Sequence, residues 1–221
     1  MKDFKVIEVK RSIFEDNNAD ADRLREQLKS EGTFLLNLMS SPGAGKTTTL
    51  KRTINMLKDE INIGVMEADI DSDVDAQAIT DTGVRAIQIH TGGMCHLDAD
   101  MTRQGINEFG TKDLDLVFLE NVGNLVCPAE FDTGSTKNAM ILSVPEGDDK
   151  PLKYPLTISD VVLINKCDTL SVFDDFSKKD VEERIHNLNP NAKVFFVSAK
   201  TGEGFEQWTD WLKNELKIYS K

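Results

Sequence analysis

Short apolar segments alternate with longer amphipathic segments along most of the chain. Seven short runs consist mainly of Val, Ile, Leu, Phe and Met, the residue types that favour buried strands. They cover residues 34–39, 63–67, 84–89, 114–119, 139–144, 161–164 and 194–197. Between most of them, apolar residues recur at helical spacing, at 47–59, 74–82, 98–109, 179–188 and 205–216.

This alternation predicts an α/β fold in three layers, with a mostly parallel sheet covered by helices on both faces. In such sheets ligands bind at the carboxyl ends of the strands, so the residues that follow each strand are the first candidates for chemistry. Residues 33–221 contain the alternating pattern. An N-terminal helical appendage is predicted for residues 1–32, because Ala21, Leu24 and Leu28 recur there at helical spacing.

Composition narrows the class of protein. The chain has 221 residues, and 26 Lys and Arg against 38 Asp and Glu give a net charge of -12. This balance argues against a nucleic-acid partner, which needs clustered cations. A membrane partner is not expected either, because no apolar run reaches about 18 residues. Three cysteines, an odd and low number, favour a reducing compartment and a cytoplasmic location.

A phosphate-binding loop follows the first core strand and opens a helix. Residues 40–47 are close to the pattern G-x-x-x-x-G-K-[ST], with Ser40 in place of the first glycine. Backbone N–H groups and a helix N-terminus then face an anion, Lys46 reaches the β and γ phosphates, and the Thr47 hydroxyl is placed to bind Mg²⁺. The fold is therefore predicted to be that of a P-loop NTPase. The predicted phosphate-binding residues are Ser41, Gly43, Ala44, Gly45, Lys46, Thr47 and Thr48.

Two later loops predict that the base is guanine. The strand at 161–164 is followed by Asn165, Lys166, Cys167 and Asp168, the N-K-x-D signature of GTP-binding proteins. A buried carboxylate such as that of Asp168 accepts from guanine N1–H and the exocyclic amine, a pair that adenine does not offer. The next strand is followed by the second guanine loop, Ser198, Ala199 and Lys200. Residues 33–221 are thus predicted to form a GTP-binding domain.

Acidic residues follow two further strands. Glu120 and Gly123 come after the strand at 114–119, where P-loop enzymes hold Mg²⁺ and sense the γ-phosphate. Asp69 is the first carboxylate after the second strand. The predicted catalytic residues are Lys46, Asp69 and Glu120, and the predicted Mg²⁺ ligands are Thr47, Asp69 and Glu120. The carboxylates that follow, Asp71, Asp73 and Asp75, are expected to be structural.

A possible second metal site lies on the same scaffold. Cys95 and His96 follow the third strand, and Cys127 lies on the loop after Glu120, so both loops are expected at one edge of the sheet. Two thiolates and an imidazole are good ligands for Zn²⁺ or Ni²⁺. Spacing alone leaves open that these are two buried cysteines and an ordinary histidine. Cys167, inside the base motif, is expected to pack in the core.

Longer motifs carry a family resemblance. Residues 92–99 (GGMCHLDA), 120–128 (ENVGNLVCP) and 145–155 (PEGDDKPLKYP) resemble the HypB family of hydrogenase nickel-incorporation GTPases, which are P-loop GTPases of the SIMIBI type. The likeness covers essentially all of residues 33–221.

The resemblance implies a cytoplasmic GTPase that assists nickel insertion into [NiFe]-hydrogenase and switches by GTP-dependent homodimerisation. It implies GTP and GDP, Mg²⁺, and Ni²⁺ or Zn²⁺ as ligands, with Cys95, His96 and Cys127 holding the metal at the dimer interface. It also implies a HypA-like accessory protein and the hydrogenase large subunit as partners. Residues 1–32 contain no Cys or His, so a nickel store at the N-terminus is not expected.

Three other functions compete with this interpretation. A urease accessory GTPase of the same fold is disfavoured because that family has Cys-Pro-His where this chain has Cys95-His96. A P-loop small-molecule kinase would use ATP, against which Asp168 argues. A metal-binding protein with a vestigial nucleotide site is disfavoured by the intact Lys46 and Thr47. We also hypothesise that Lys153 supplies charge to a nucleotide site, across a dimer.

Overall fold

A wholly parallel sheet of eight strands forms the centre of the computed structural model, which describes residues 5–8, 17–69, 79–153 and 156–220. The strands are β1 (Lys5–Glu8), β2 (Phe34–Ser40), β3 (Ile63–Asp69), β4 (Arg85–His90), β5 (Leu116–Glu120), β6 (Lys137–Ser143), β7 (Val161–Asn165) and β8 (Lys193–Phe196). Their order is β1-β4-β3-β5-β2-β6-β7-β8, and every neighbouring pair is parallel. The strand that leads into the phosphate loop, β2, therefore lies between β5 and β6.

Helices cover both faces of this sheet. They are α1 (Asn17–Glu31), α2 (Lys46–Leu57), α3 (Ala99–Phe109), α4 (Cys127–Glu130), α5 (Lys178–Leu188) and α6 (Phe205–Tyr219). Side chains of β2 point alternately to the two faces of the sheet, because successive residues of a strand project in opposite directions. Leu36 and Leu38 pack with α2 and α6, whereas Leu35 packs with α1 and α3, and Met39 with α5. The predicted three-layer P-loop fold is confirmed.

Individual boundaries differ from the predicted ones. The strand β3 continues to Asp69, two residues further than predicted, so Asp69 ends the strand instead of following it. The strand β5 begins at Leu116, because Leu114 closes a turn by donating its N–H to Thr111 O at 2.8 Å. The predicted helix at 74–82 lies mostly outside the described residues, as do Asp71, Asp73 and Asp75.

The segment before residue 33 contributes to the same layers. Its strand β1 pairs with β4 at the edge of the sheet, and α1 packs against α3 through buried Leu24 and Leu28. Asn17 Oδ1 accepts a hydrogen bond from Ala99 N, at the start of α3, at 2.9 Å. The division of the chain at residue 33 remains a prediction. Among the described helices, none is long and apolar enough to cross a bilayer.

Candidate nucleotide-binding and metal sites

The loop between β2 and α2 has the backbone shape of an anion-binding turn. Gly43 and Gly45 have φ of 75° and 93°, in the left-handed region that favours glycine. At Gly45 a side chain is excluded for a second reason, since an added Cβ would lie 2.5 Å from Asn165 Nδ2. The first turn of α2 follows directly, so its N–H groups and positive dipole end face the same space.

That space is a cavity of about 370 Å³. Its walls include Ser41, Gly43, Gly45, Lys46, Thr47 and Thr48 from the phosphate loop, and Gly123 from the loop after β5. Ala44 is buried behind the loop. The structure therefore brings the predicted phosphate-binding residues and Gly123 together around one cavity.

The side chain of Glu120 connects this cavity to the sheet. Glu120 is fully buried, accepts a hydrogen bond from Thr47 Oγ1 at 2.7 Å and lies 3.3 Å from Lys46 Nζ through the same oxygen, Oε1. Lys46 Nζ also donates to Asn121 O. An ammonium group has three donors, so one N–H of Lys46 is left for a phosphate oxygen.

These residues suit a magnesium ion. Glu120 Oε2 is buried and has no hydrogen-bond partner among the described residues. A buried carboxylate oxygen without a partner is costly unless a ligand contacts it. Together with the Thr47 hydroxyl it supplies the hard oxygen donors that Mg²⁺ prefers beside substrate phosphates. Glu120 and Thr47 thus fit the predicted role, while the side chain of Asp69 lies outside the described residues.

A second buried carboxylate, which the sequence analysis missed, lines the same cavity. Glu67 is 2% exposed, and its Cα pairs in register with that of Glu120 on the neighbouring strand. The sequence signal was a carboxylate inside an apolar strand, but the strand was predicted to end there. Because β3 continues to Asp69, Glu67 is a strand residue in the wall of the site.

Asn165 joins the three nucleotide loops. It is 1% exposed, its Nδ2 donates to Ala44 O at 2.9 Å, and its Oδ1 accepts from Ala199 N at 3.0 Å. One amide therefore satisfies a carbonyl of the phosphate loop and an N–H of the second guanine loop. Asn165 therefore fixes the position of the base loop relative to the other two loops.

The base loops place a carboxylate where guanine is expected. Asp168 Oδ1 accepts from Ser198 Oγ at 2.7 Å, and Lys200 Nζ lies 3.9 Å from Asp168 Oδ2. Arg52 of α2 supports the second guanine loop by donating to the carbonyls of Ala199 and Lys200 at 2.8 and 3.1 Å. The carboxylate is thus held in one orientation, as selective hydrogen bonding to a base requires.

Lys166 has an unusual backbone. Its φ of 63° makes it the one non-glycine residue with positive φ in the described part of the chain. Its Nζ donates to Gly43 O at 2.6 Å, so the side chain spans from the base motif to the phosphate loop. Strained backbone at a binding site is maintained by such surrounding contacts.

Glu146 is another residue that the sequence analysis missed. It accepts a hydrogen bond from Ser41 Oγ, and its other oxygen accepts from Ser143 N and Oγ at 2.8 and 2.9 Å. Lys150 Nζ lies 3.1 Å from Glu146 Oε1. The phosphate loop is thereby connected to the turn after β6. The signal was the spacing of Ser143 and Glu146, a capping box at a short helical turn.

The predicted thiol ligands lie side by side. Cys95 and Cys127 are both partly exposed free cysteines, and each thiol lies close enough to shift the pKa of the other. Their interaction raises the pKa of Cys95 and lowers the pKa of Cys127, and Asn124 also contributes to the lower pKa of Cys127. Asn124 Nδ2 donates to Cys95 O at 3.2 Å, so its side chain connects the two loops.

The predicted histidine ligand, His96, packs against an aromatic ring beside the two thiols. His96 Nδ1 lies 3.9 Å from Cys95 Sγ, and its ring stacks on Phe131 with centroids 3.6 Å apart. Among the described residues, no three His, Cys, Asp or Glu side chains converge to hold a metal ion. The three predicted ligands are thus neighbours, but they do not form a complete coordination site within the described part of one chain.

Fold and site together define a P-loop nucleotide-binding protein. In agreement, residues 34–196 match the family model described as "CobW/HypB/UreG, nucleotide-binding domain". The hydrogenase maturation factor HypB of Rhizobium leguminosarum bv. viciae is 43% identical over 215 residues, which are 96% of this chain and 72% of that protein.

Two solved structures place the chain within that family. The crystal structure of the hydrogenase maturation factor HypB from Archaeoglobus fulgidus has a TM-score of 0.83 and 37% identity, over 91% of this chain and 98% of that one. The structure of Helicobacter pylori HypB in complex with nickel has a TM-score of 0.85 and 38% identity, over 93% and 97%. The chain belongs to the HypB family of hydrogenase maturation factors.

Proposed function

We propose that this protein is a cytoplasmic GTPase that assists nickel insertion into [NiFe]-hydrogenase. The observation that carries the GTPase assignment is Asn165, which holds the phosphate loop and the second guanine loop in one arrangement. Asp168, in the same base motif, supplies the carboxylate that would bind guanine, and it accepts a hydrogen bond from Ser198 of the second guanine loop. Hydrolysis converts GTP and water to GDP and phosphate.

The residues have separate roles in that reaction. Asp168 selects guanine, the N–H groups of the phosphate loop bind the phosphates, and Lys46 stabilises charge on the β and γ phosphates. Thr47 and Glu120 hold the magnesium ion, which supplies further positive charge at the phosphates. Gly123 lies in the cavity wall, where its N–H responds to the γ-phosphate. Asp69 stays a candidate for orienting the attacking water.

Nickel is the proposed cargo. The HypB structure from Helicobacter pylori contains nickel, and the adjacent thiols of Cys95 and Cys127 are suitable ligands for that metal. A complete site needs further donors, which a second copy of the chain supplies in a GTP-dependent homodimer. Val126, 51% exposed beside Cys127, is an apolar side chain that such a dimer would cover. A HypA-like accessory protein and the hydrogenase large subunit are the proposed partners.

Base selection provides the main test. Phosphate release from GTP and ATP is measured on the purified chain, with and without Ni²⁺, and GTP is expected to be strongly preferred. Asp168→Asn should lose GTP hydrolysis and gain hydrolysis of XTP, because the xanthine C2 carbonyl accepts from the new amide. Asp174→Asn, at an exposed site on the following loop, is the control and should behave as the wild type. A preference for ATP would refute the proposal.

Coupling to the metal needs its own measurement. Cys127 begins α4, directly after the loop that follows Glu120, so nucleotide state is expected to change how Ni²⁺ is bound. Ni²⁺ is titrated into the GTP-bound and GDP-bound forms. Different affinities are expected, and equal affinities would contradict the coupling while leaving the GTPase assignment intact.

A further inference from the structure

A row of buried polar side chains crosses three neighbouring strands beside the phosphate loop. The strand register pairs Glu67 of β3 with Glu120 of β5 on one side and with Gln88 of β4 on the other. Glu67 is 2% exposed, and both Glu120 and Gln88 are fully buried. Such a row is unusual in a parallel sheet with both faces covered, where strand residues are mainly apolar.

All three side chains point to the face covered by α2. The residues two positions earlier in each strand, Val65, Phe118 and Ala86, belong to the apolar core between the sheet and α2. Side chains two positions apart in a strand lie on the same face. On this face of the sheet, the apolar row is therefore followed by the polar row, two residues nearer the carboxyl end of each strand. The polar row lies next to Lys46 and Thr47.

Two buried carboxylates project from paired positions of β3 and β5. Neighbouring strands lie about 4.8 Å apart, so like charges at these positions repel each other. Lys46 contacts Glu120 at 3.3 Å, but Glu120 Oε2 has no hydrogen-bond partner among the described residues. A divalent cation that contacts both carboxylates would give this oxygen a partner and reduce the repulsion between the two groups.

We propose that Glu67 and Glu120 together bind the divalent cation that accompanies GTP. This inference rests on the proposed GTPase function and assigns a further residue to it. Glu67 and Thr47 line the same cavity, and Thr47 Oγ1 is bonded to Glu120. Mg²⁺ in nucleotide sites is usually held by one or two carboxylates together with phosphate oxygens, directly or through water. Glu67 supplies the second carboxylate.

The cation itself can be followed without turnover. Mn²⁺ binding to the GDP-bound full chain is measured by electron paramagnetic resonance in the wild type, Glu67→Gln and Glu182→Gln. Glu67→Gln should weaken Mn²⁺ binding at least about tenfold and raise the Mg²⁺ concentration for half-maximal hydrolysis. Glu182 is exposed on α5, so its substitution should change neither quantity.

The same variants separate the possible failures. Wild-type Mn²⁺ affinity in Glu67→Gln would overturn the proposal. Failure of the wild type to bind GDP or GTP in excess Mg²⁺ would refute the proposed function itself. If Glu67→Gln does not fold, as judged by thermal unfolding, Glu67→Asp is used. It keeps the charge but retracts the carboxylate, and unchanged Mn²⁺ affinity in it would also overturn the inference.

Discussion

The nucleotide loops and the thiol loops lie on the same edge of one sheet but are constructed differently. The three nucleotide loops are linked to each other by hydrogen bonds from the side chains of Asn165, Lys166 and Arg52. These bonds lie within the protein, so they fix the backbone of the loops without a contribution from the nucleotide. The two thiol segments meet where Cys95 lies beside Cys127 and where the side chain of Asn124 donates to Cys95 O. His96 rests on Phe131.

This difference indicates which site is complete within one chain. Cross-linked loops pre-organise a site, so that a ligand loses little binding energy to ordering the protein. A metal site with neighbouring but unconverged ligands needs rearrangement or additional donors. Such a site suits transfer of an ion, because the ion must also leave. The following predictions test this contrast between a pre-organised nucleotide site and an adaptable metal site.

The largest effect is expected from Asn165→Ala. It leaves Ala44 O and Ala199 N buried without their partner, at about 1–3 kcal/mol each. This cost lowers Tm, and to the extent that the free loops rearrange to relieve it, GDP binding weakens by up to roughly 100-fold, the equivalent of about 3 kcal/mol, measured by calorimetry. The exposed Asn191→Ala is the control. An unchanged GDP affinity would show that the loops do not depend on this amide.

The next effect concerns the thiols. Cys127→Ser should weaken Ni²⁺ binding by about 10- to 100-fold, because it removes a ligand outright, whereas GDP affinity should stay at the wild-type value. Cys167→Ser is the matched control, since that thiol is buried in the core and donates to Ile164 O at 3.2 Å. Equal losses in both serine variants would contradict the assignment of Cys127 as a ligand.

A smaller effect is expected at the histidine. Phe131→Ala removes the ring on which His96 stacks, an interaction of about 0.5–1.5 kcal/mol, so Ni²⁺ affinity should change by roughly 2- to 10-fold. The direction distinguishes two arrangements. Weaker binding means that Phe131 holds His96 ready for the metal, and tighter binding means that the stack competes with coordination. Phe173→Ala, in another core cluster, should leave Ni²⁺ affinity unchanged.

The smallest expected effect is at Cys167. Burial raises the pKa of its thiol to about 11, so it stays protonated as pH rises, and reactive thiolate accumulates only as pH approaches that value. Alkylation at about pH 8 should therefore modify Cys95 and Cys127 well before Cys167. Mass spectrometry of the modified peptides checks this order. Early modification of Cys167 would mean that the base loop opens readily.

Much of the nucleotide site was predictable from the order of residues. The strand before Ser40 and the helix after Lys46 identified the phosphate loop, because local geometry needs glycine and a helix N-terminus at fixed positions. Asn165 ends another strand and Asp168 follows it, and parallel strands bring their carboxyl ends to one edge. Glu67 was missed because its role depends on where β3 ends and on which strand lies beside it.

The thiol site was less predictable for a related reason. Cys95, His96 and Cys127 were placed together from the sheet edge and from family resemblance. Spacing along the chain cannot show that His96 stacks on Phe131 or that Asn124 connects the loops. Those contacts depend on side-chain directions in irregular loops, which no periodic pattern encodes.

The sequence by itself determined the alternation of strands and helices, the phosphate loop and the motif that predicts guanine, because these depend on residues close together in the chain. Tertiary structure alone decided the order of the strands, and through it the pairing of Glu67 with Glu120 and the link from Asn165 to both guanine and phosphate loops. Pairing between strands is set by packing of both sheet faces over long sequence separations, and it brings together buried polar groups whose partners are distant in the chain.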